Sequence, residues 1–323
     1  MTTAPLTAAP RNPCRILSLD GGGAKGFYTL GVLAQVEALL NKEPLCEHFD
    51  LIFGTSTGAI IAALLSIGYR VADIHDLYKE HVPTVMNNHT AGGRTRALAK
   101  LVAKVFGDKD FSQIKTGVGI VATHWHLQKP MIFKSSVAQA HGRETSFIPG
   151  FGCTIGQAVQ ASCSAYPYFK RFIVTTGQGV KVELFDGGYC ANNPPLYAIA
   201  DAVKAYKRDY ADLRVLSIGV GMYPEPKHWI TPKYMVESLA KTFIGFTGLQ
   251  LLQKTLDVNT TSMEQLRLIL FNEIQAVRIN DTFQQPEMAT DLLEADLNKL
   301  SLLYQRGWES YAAHEDHVKG LFV

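Results

Sequence analysis

The chain has 323 residues, 47% of them hydrophobic and 19% charged, which is enough material for one large α/β domain or two smaller ones. Its formal net charge is +2, from 31 Lys and Arg against 29 Asp and Glu, and this balance gives no electrostatic reason to expect binding to DNA or RNA. Five scattered cysteines without a CxxC pair indicate neither a zinc site nor a disulfide framework, so we expect reduced, buried thiols.

The N-terminal residues 1–13, MTTAPLTAAPRNP, are rich in Pro, Ala and Thr. They lack the long apolar core of a secretory signal, and we interpret them as a flexible lead-in. The most apolar stretch, AIIAALLSIGY at 59–69, is too short to span a bilayer. Any contact with a membrane is therefore expected to be peripheral.

The first elements alternate between strand and helix. The apolar run CRILSL at 14–19 predicts a buried strand, and leucine and valine at helical spacing predict a helix over 27–41. A second strand is predicted at 49–54, and a second helix begins at residue 57. This β-α-β-α opening predicts an α/β fold with a mainly parallel central sheet covered by helices, in three layers.

The rest of the chain continues in the same style. Further strands are predicted at 117–123, 130–135, 170–175, 180–185, 213–219 and 273–279, and further helices at 154–162 and 195–207. The polar, glycine-containing and basic range 82–116 is interpreted as a cap or lid. From 231 to 323 the pattern is mostly helical, and without a repeat or linker we expect a single domain over 14–323.

A serine motif lies at the second strand-to-helix junction. The segment FGTSTGAI contains Gly54-Thr55-Ser56-Thr57-Gly58, which matches the pattern G-x-S-x-G. A sharp turn at such a junction exposes the serine hydroxyl, and the N-terminus of the following helix stabilises negative charge. A chance match is the alternative, but the apolar strand before the motif and the apolar helix after it favour a nucleophile.

Three consecutive glycines, at 21–23, follow the first strand. Their backbone N–H groups could stabilise the oxyanion that forms when a serine attacks an acyl carbon. Phosphate binding is the competing use of such a loop. However, GGGAKG matches neither G-x-x-x-x-G-K-[ST] nor a dinucleotide turn with its acidic ribose partner.

A nucleophilic serine needs a base. The ten histidines lie in no setting typical of a hydrolase, and His124 and His126, which share a strand face, have no evident third ligand for a metal. The better candidate is Asp186, at the end of a predicted strand in VELFDGGYCANNPP. In a parallel sheet the carboxyl ends of the strands form the edge at which active sites lie. An Asx-turn or a helix cap is the alternative role for an Asp-Gly pair.

With these segments in order, the chain resembles the patatin-like phospholipase family. LDGGGAKG at 19–26 is similar to the family's oxyanion-hole loop, GTSTG at 54–58 to its nucleophile elbow, and DGGYCANNP at 186–194 to its aspartate segment. ASCSAYPYF at 161–169 is similar to a further family block, a run of small residues before a Pro-aromatic turn. The four blocks occur in family order and cover about the first two-thirds of the chain.

The resemblance implies a Ser-Asp dyad without histidine, metal or other cofactor. Ser56 would be the nucleophile that forms an acyl-enzyme, and Asp186 the base. Gly21, Gly22 and Gly23 would supply oxyanion donors, with help from Thr57 at the start of the next helix. For Lys25 two roles stay open: positioning the loop, or contacting lipid phosphate.

The family's substrates are acyl esters of glycerolipids, which implies membrane phospholipid as the substrate of a cytoplasmic enzyme that works at the inner membrane. Compact bacterial members resemble effectors of anti-phage defence that a cyclic oligonucleotide activates. The basic segment 92–104 and the lid at 82–116 motivate the same hypothesis here, although the chain contains no recognisable nucleotide-binding signature. The alternatives are a constitutive lipid hydrolase, a thioesterase or protein-directed hydrolase, and a non-enzymatic binding module; the oligomeric state stays open.

Overall fold

The structure is a computed structural model, and it describes residues 12–224 and 241–323. The predicted lead-in at 1–13 therefore lies outside the described residues except for its last two positions. Residues 231–240 of the mostly helical C-terminal part also lie outside them.

One sheet forms the centre of the described part of the chain. Its eight strands are β1 (Cys14–Leu19), β2 (Leu51–Thr55), β3 (Gly117–His124), β4 (Lys129–Lys134), β5 (Phe172–Thr175), β6 (Lys181–Asp186), β7 (Leu213–Ile218) and β8 (Gln275–Ile279). The strand order is β5-β6-β3-β2-β1-β7-β8, and β4 pairs with β3. The run from β3 to β8 is parallel, whereas β4, β5 and β6 pair antiparallel. The mainly parallel sheet is thus confirmed, and every predicted strand begins and ends within two residues of an observed one.

Helices flank this sheet. They are α1 (Gly26–Leu39), α2 (Thr57–Ser66), α3 (Val71–Met86), α4 (Ala91–Phe106), α5 (Ile155–Ser162), α6 (Gly188–Ala191), α7 (Pro195–Ala200), α8 (Lys241–Leu270) and α9 (Leu297–Lys319). The predicted helix over 195–207 is α7 followed by a π-helical segment, Asp201–Ala205. The range 82–116, predicted to be a lid, holds the end of α3 and all of α4. Its movement stays a prediction.

Strands β2 and β6 share one edge of β3. Thr55, the last residue of β2, lies opposite Val121, and Asp186, the last residue of β6, lies opposite the next residue, Ala122. Strand β4 occupies the other edge, because it pairs with β3 from Gly119 to His124. The two strands therefore approach from opposite directions, and their C-terminal ends meet.

The C-terminal helix α9 packs against α1 through two glycines. A Cβ atom at Gly31 would lie 2.1 Å from the carbonyl oxygen of Tyr304, and one at Gly307 would lie 2.2 Å from that of Tyr28. This close approach lets α9 cover α1, which is buried along most of its length. The helical C-terminal part is in this way fixed to the first helix after the glycine loop.

The cysteines are unpaired, and four of the five are buried, as expected from the sequence. Within residues 12–224 and 241–323, each helix is either too short or too polar to cross a bilayer.

Candidate active site

Ser56 lies in the sharp turn between β2 and α2. Its backbone adopts φ 52° and ψ −120°, a conformation in the positive-φ region that is strained for a residue with a Cβ atom. The turn is tight enough that a Cβ atom at Gly54 would lie 2.2 Å from the carbonyl oxygen of Gly58. One at Gly58 would lie 2.3 Å from that of Leu19. The two glycines of the motif are thus sterically required.

The end of α5 holds this turn in place. The N–H of Ser56 donates to the hydroxyl of Ser162 over 2.9 Å, and that hydroxyl donates to the carbonyl of Val121 over 2.5 Å. The thiol of Cys163 donates to the carbonyl of Ser56 over 3.2 Å. The strained backbone is therefore bound on both sides by one segment.

The same segment holds Asp186. The N–H of Asp186 donates to the carbonyl of Ser164 over 3.1 Å, and the N–H of Gly187 donates to that of Ser162 over 3.3 Å. The hydroxyl of Thr123 donates to the carbonyl of Asp186 over 2.9 Å. The sequence analysis quoted this block, ASCSAYPYF, but assigned it no role. In the structure it links the serine turn to the aspartate.

The carboxylate of Asp186 is almost completely buried, at 2% exposure. Burial raises the pKa of Asp186 to about 7, against the smaller opposing effects of hydrogen bonding to the Gly188 N–H and the Ser56 hydroxyl. Oδ1 accepts the Gly188 N–H over 2.7 Å. Oδ2 makes no hydrogen bond of ordinary geometry with the described residues. One carboxylate oxygen is thus anchored, and the other is available to take a proton near Ser56.

The direction of β6 corrects one step of the sequence analysis. We expected Asp186 at the carboxyl edge of a parallel strand, but β6 runs antiparallel to β3. Asp186 nevertheless reaches Ser56 because β3 continues beyond the end of β2, and β6 pairs with that extension. Asp186 does end a strand, as predicted, but the strand is antiparallel, and its role as the base stays a prediction.

The glycine loop after β1 lies against the same site. The N–H of Gly21 donates to the carbonyl of Asn192 over 3.0 Å, so it is not free for a substrate oxygen. The N–H groups of Gly22, Gly23 and Thr57 make no hydrogen bond with the described residues. Gly23 has φ 59°, and a Cβ atom there would lie 2.4 Å from the carbonyl oxygen of Leu292. The available donors are therefore those of Gly22, Gly23 and the first residue of α2.

An ion pair that the sequence analysis missed anchors this loop. The carboxylate of Asp20 accepts two hydrogen bonds from the guanidinium of Arg278 on β8, and Arg278 Nη1 also donates to Ser217 Oγ over 2.8 Å. Asp20 is buried, and the side chain of Arg278 is 14% exposed. On the other side, the Asn192 side chain donates to the carbonyl of Gly21 over 3.2 Å. Residues from β8 and from the NNP segment thus fix the start of the loop.

Lys25 follows the loop but does not line the cavity around Ser56. Its side chain is 4% exposed, and burial lowers its pKa. Asp257 and Asp291 oppose that effect. This location fits a loop-positioning role better than contact with lipid phosphate.

Ser56 and Asp186 lie in the wall of a mainly apolar cavity. Its apolar wall includes Val82, Val85, Met86, Leu98, Leu101 and Leu256. Ile60, Val82 and Leu101 also line an adjoining apolar cavity that continues to Phe106. The described residues that line the first cavity include no histidine. An extended apolar chain is the ligand that such walls accommodate.

The raised pKa of Asp186 predicts a pH-dependent effect of Asp186→Asn on stability. The folded protein binds this proton more tightly than the unfolded chain, so the wild type loses stability as the pH rises from about 4 to about 7. At about 1.4 kcal/mol per pH unit, removing the charge should stabilise the protein by up to ~4 kcal/mol above pH 7 and by almost nothing at pH 4. Thermal unfolding of both proteins at pH 4.5 and pH 8 measures this difference.

Asp108→Asn removes the same charge at an exposed site and serves as the control. An Asp186→Asn protein that is no more stable than wild type at pH 8, or equally stabilised at both pH values, would contradict the assigned burial effect.

The hydrogen bond from Ser56 to Ser162 predicts that Ser162→Ala misplaces the nucleophile. We expect kcat for a soluble ester to fall by ~10-fold or more with KM little changed, since small displacements of reacting groups carry large rate costs. Thr29→Val is the control, because Thr29 is also buried and its hydroxyl donates to the carbonyl of Gly219 over 2.8 Å, away from the dyad. If Ser162→Ala lowers thermal stability as Thr29→Val does but keeps full kcat, Ser162 has only a structural role.

Comparison with known proteins connects this geometry to a family. Residues 17–199 match the patatin family, described as patatin-like phospholipase. Over 312 residues the chain is 57% identical to the cUMP-AMP-activated phospholipase of Escherichia coli, covering 97% of this chain and 95% of that protein.

More distant relatives match over about two-thirds of the chain. The cGAMP-activated phospholipase of Vibrio cholerae is 25% identical, covering 65% of this chain and 64% of that protein. Patatin-like protein 2 of Arabidopsis thaliana is 27% identical, covering 65% of this chain and 60% of that protein. The matched residues 17–199 contain the glycine loop, the serine turn and Asp186, and the chain belongs to the patatin-like phospholipase family.

Proposed function

We propose that this protein is a serine acyl hydrolase of the phospholipase A type. It cleaves fatty-acyl esters of membrane glycerophospholipids with Ser56 as nucleophile and Asp186 as base. The observation that carries the proposal is the buried Asp186 carboxylate, with a raised pKa and a free oxygen, beside a strained serine in an apolar cavity. The domain that performs this reaction is proposed to extend over residues 14–323.

In the first step Asp186 Oδ2 takes the proton of Ser56 as the serine oxygen attacks the ester carbonyl. The oxyanion accepts hydrogen bonds from the N–H groups of Gly22, Gly23 and Thr57, which make no hydrogen bond with the described residues. Asp186 then gives its proton to the departing lysophospholipid alcohol. A carboxyl with a pKa near 7 can do both, because it gains and loses a proton readily at neutral pH.

In the second step water hydrolyses the acyl-enzyme. Asp186 takes a proton from the water, the oxyanion forms again at the same donors, and the proton returns to Ser56. The fatty acid is released and the dyad is restored. Neither step needs a histidine.

The proposed substrate class follows from the walls of the two adjoining cavities. Apolar side chains from α3 and α4 surround the space next to Ser56, and the second cavity extends it toward Phe106. A long acyl chain buries its methylene groups against these walls, at ~0.8 kcal/mol each. Short acyl groups forgo that gain.

We also propose that a cyclic oligonucleotide activates the enzyme in anti-phage defence. The support is the 57% identity to a cUMP-AMP-activated phospholipase, which extends over 97% of the chain and so beyond the residues 17–199 of the family match. The proposal places the enzyme in the cytoplasm and, when active, at the inner membrane.

Fatty-acid release from bacterial phospholipid vesicles tests the whole proposal. Wild type, Ser56→Ala and Asp186→Asn are compared without nucleotide, with cUMP-AMP and with cGAMP; Asp108→Asn is the control. We expect release by the wild type only with cUMP-AMP, and a loss of ~10³-fold or more in both dyad variants.

Two outcomes would separate the proposed hydrolysis from the proposed activation by a nucleotide. If the wild type releases fatty acid without nucleotide and both dyad variants abolish that release, the Ser-Asp mechanism stands and nucleotide control is excluded. No release under any condition would contradict the phospholipid substrate, and acyl-CoA thioesters would become the next substrates to test.

A further inference from the structure

Positive charge is concentrated in two segments outside the dyad. Residues 91–107 and 154–175 together contain six cationic and no acidic residues, in a chain with a net charge of only +2. The cations are Arg94, Arg96, Lys100, Lys104, Lys170 and Arg171. Arg171 pairs with Glu183 over 3.3 Å, whereas Arg96, Lys100 and Lys170 make no ion pair with the described residues and require a separate explanation.

The fold joins the two segments into one surface. Arg94 Nη1 donates to the carbonyl of Tyr168 over 3.4 Å, and the N–H of Lys170 donates to Thr95 Oγ1 over 2.9 Å. Arg96 and Lys100 lie four residues apart on α4, hence on one side of the helix, and both are exposed, as is Lys170. Lys104, the next residue in that row, pairs with Glu80.

Aromatic side chains continue this surface. The guanidinium of Arg171 lies 4.1 Å from the centroid of the Trp125 ring and 5.6 Å from that of Tyr166. The two rings contact edge to face with centroids 5.8 Å apart, and Tyr166 is 44% exposed. Leu127, two residues after Trp125, is 58% exposed. Tryptophan and tyrosine beside cations are typical of surfaces at the lipid–water boundary.

This surface is the outer side of the active-site wall. In the loop 165–171, Tyr168 and Phe169 line the cavity that contains Ser56, while Tyr166 and Lys170 are exposed. Helix α4 repeats the arrangement, because its residues Leu98 and Leu101 line the cavity and Arg96 and Lys100 face solvent. A bilayer bound to this surface would therefore lie against the wall of the acyl cavity.

We propose that this basic–aromatic face, formed by α4, the loop 165–171 and Trp125, docks the protein on anionic phospholipid bilayers. The cations bind anionic headgroups, and Trp125, Leu127 and Tyr166 enter the interfacial region. The inference rests on the proposed phospholipid substrate, but it concerns where the protein meets the membrane and not how the ester is cleaved.

Binding to vesicles tests the proposal. In a Ser56→Ala background, which protects the lipid, sedimentation compares phosphatidylcholine vesicles with vesicles containing 30% phosphatidylglycerol, with and without cUMP-AMP. We expect preference for the anionic vesicles, and binding at least 10-fold weaker when Arg96, Lys100 and Lys170 are replaced by Glu. Replacing the exposed Lys42, Lys204 and Lys207 by Glu makes the same change in net charge and should alter binding less than twofold.

Fluorescence locates the contact. Vesicles with brominated acyl chains should quench the tryptophan emission of the Ser56→Ala protein, and Trp125→Phe should remove that quenching. Equal vesicle binding by the two triple variants would overturn the proposal. So would intact vesicle binding together with lost cUMP-AMP binding, which would assign the cations to the nucleotide.

A water-soluble short-chain phospholipid separates docking from chemistry. With Ser56 intact and cUMP-AMP present, the Arg96, Lys100 and Lys170 variant should hydrolyse monomeric dibutyryl phosphatidylcholine at the wild-type rate while losing activity on vesicles. If the wild type hydrolyses neither substrate but still binds anionic vesicles through these residues, the proposed function fails and the docking face stands. If the variant loses activity on the monomeric lipid as well, the face is not a separate docking surface.

Discussion

The active site depends on one feature of strand pairing, the meeting of the C-terminal ends of β2 and β6 along a single edge of β3. Thr55 lies opposite Val121 and Asp186 lies opposite Ala122, so consecutive residues of β3 fix the positions of the serine turn and the aspartate. Ser162 then binds both the Ser56 N–H and the carbonyl of Val121. Two loops that are 130 residues apart in sequence become neighbours because the backbone pairing of the sheet, together with the hydroxyls of Ser162 and Thr123, positions them.

The apolar cavity has two consequences for the proposed chemistry. Its apolar walls are suited to an acyl chain, and it removes water from Asp186, which raises the pKa of that carboxyl to about 7. A solvated carboxylate would be a weak base for serine, whereas a desolvated one takes a proton at neutral pH without help from histidine. The free energy needed to bury this charge comes from packing elsewhere in the fold, such as the close contact between α1 and α9.

Much of this arrangement could be predicted from sequence because its signals are local. The run CRILSL, the GTSTG turn and the glycine loop each specify a strand end or a tight turn through nearby residues alone. The direction of β6 could not be predicted, since strand pairing is a long-range property. The same holds for the Gly21 N–H, which is taken by Asn192, and for the Asp20–Arg278 pair, whose members are 258 residues apart. The role of Ser162 was missed because a serine in a run of small residues gives no local sign of its partner.

The most direct test of this account is the pH dependence of Ser56 phosphonylation by a fluorophosphonate, a reaction that needs no lipid surface. Only the ionised form of Asp186 can take the serine proton. The wild-type rate should therefore rise through a single ionisation with a midpoint at about 7 and then level off, and Asp186→Asn should remove both the rise and most of the rate. A midpoint that survives in Asp186→Asn would assign the base to another group and contradict the account.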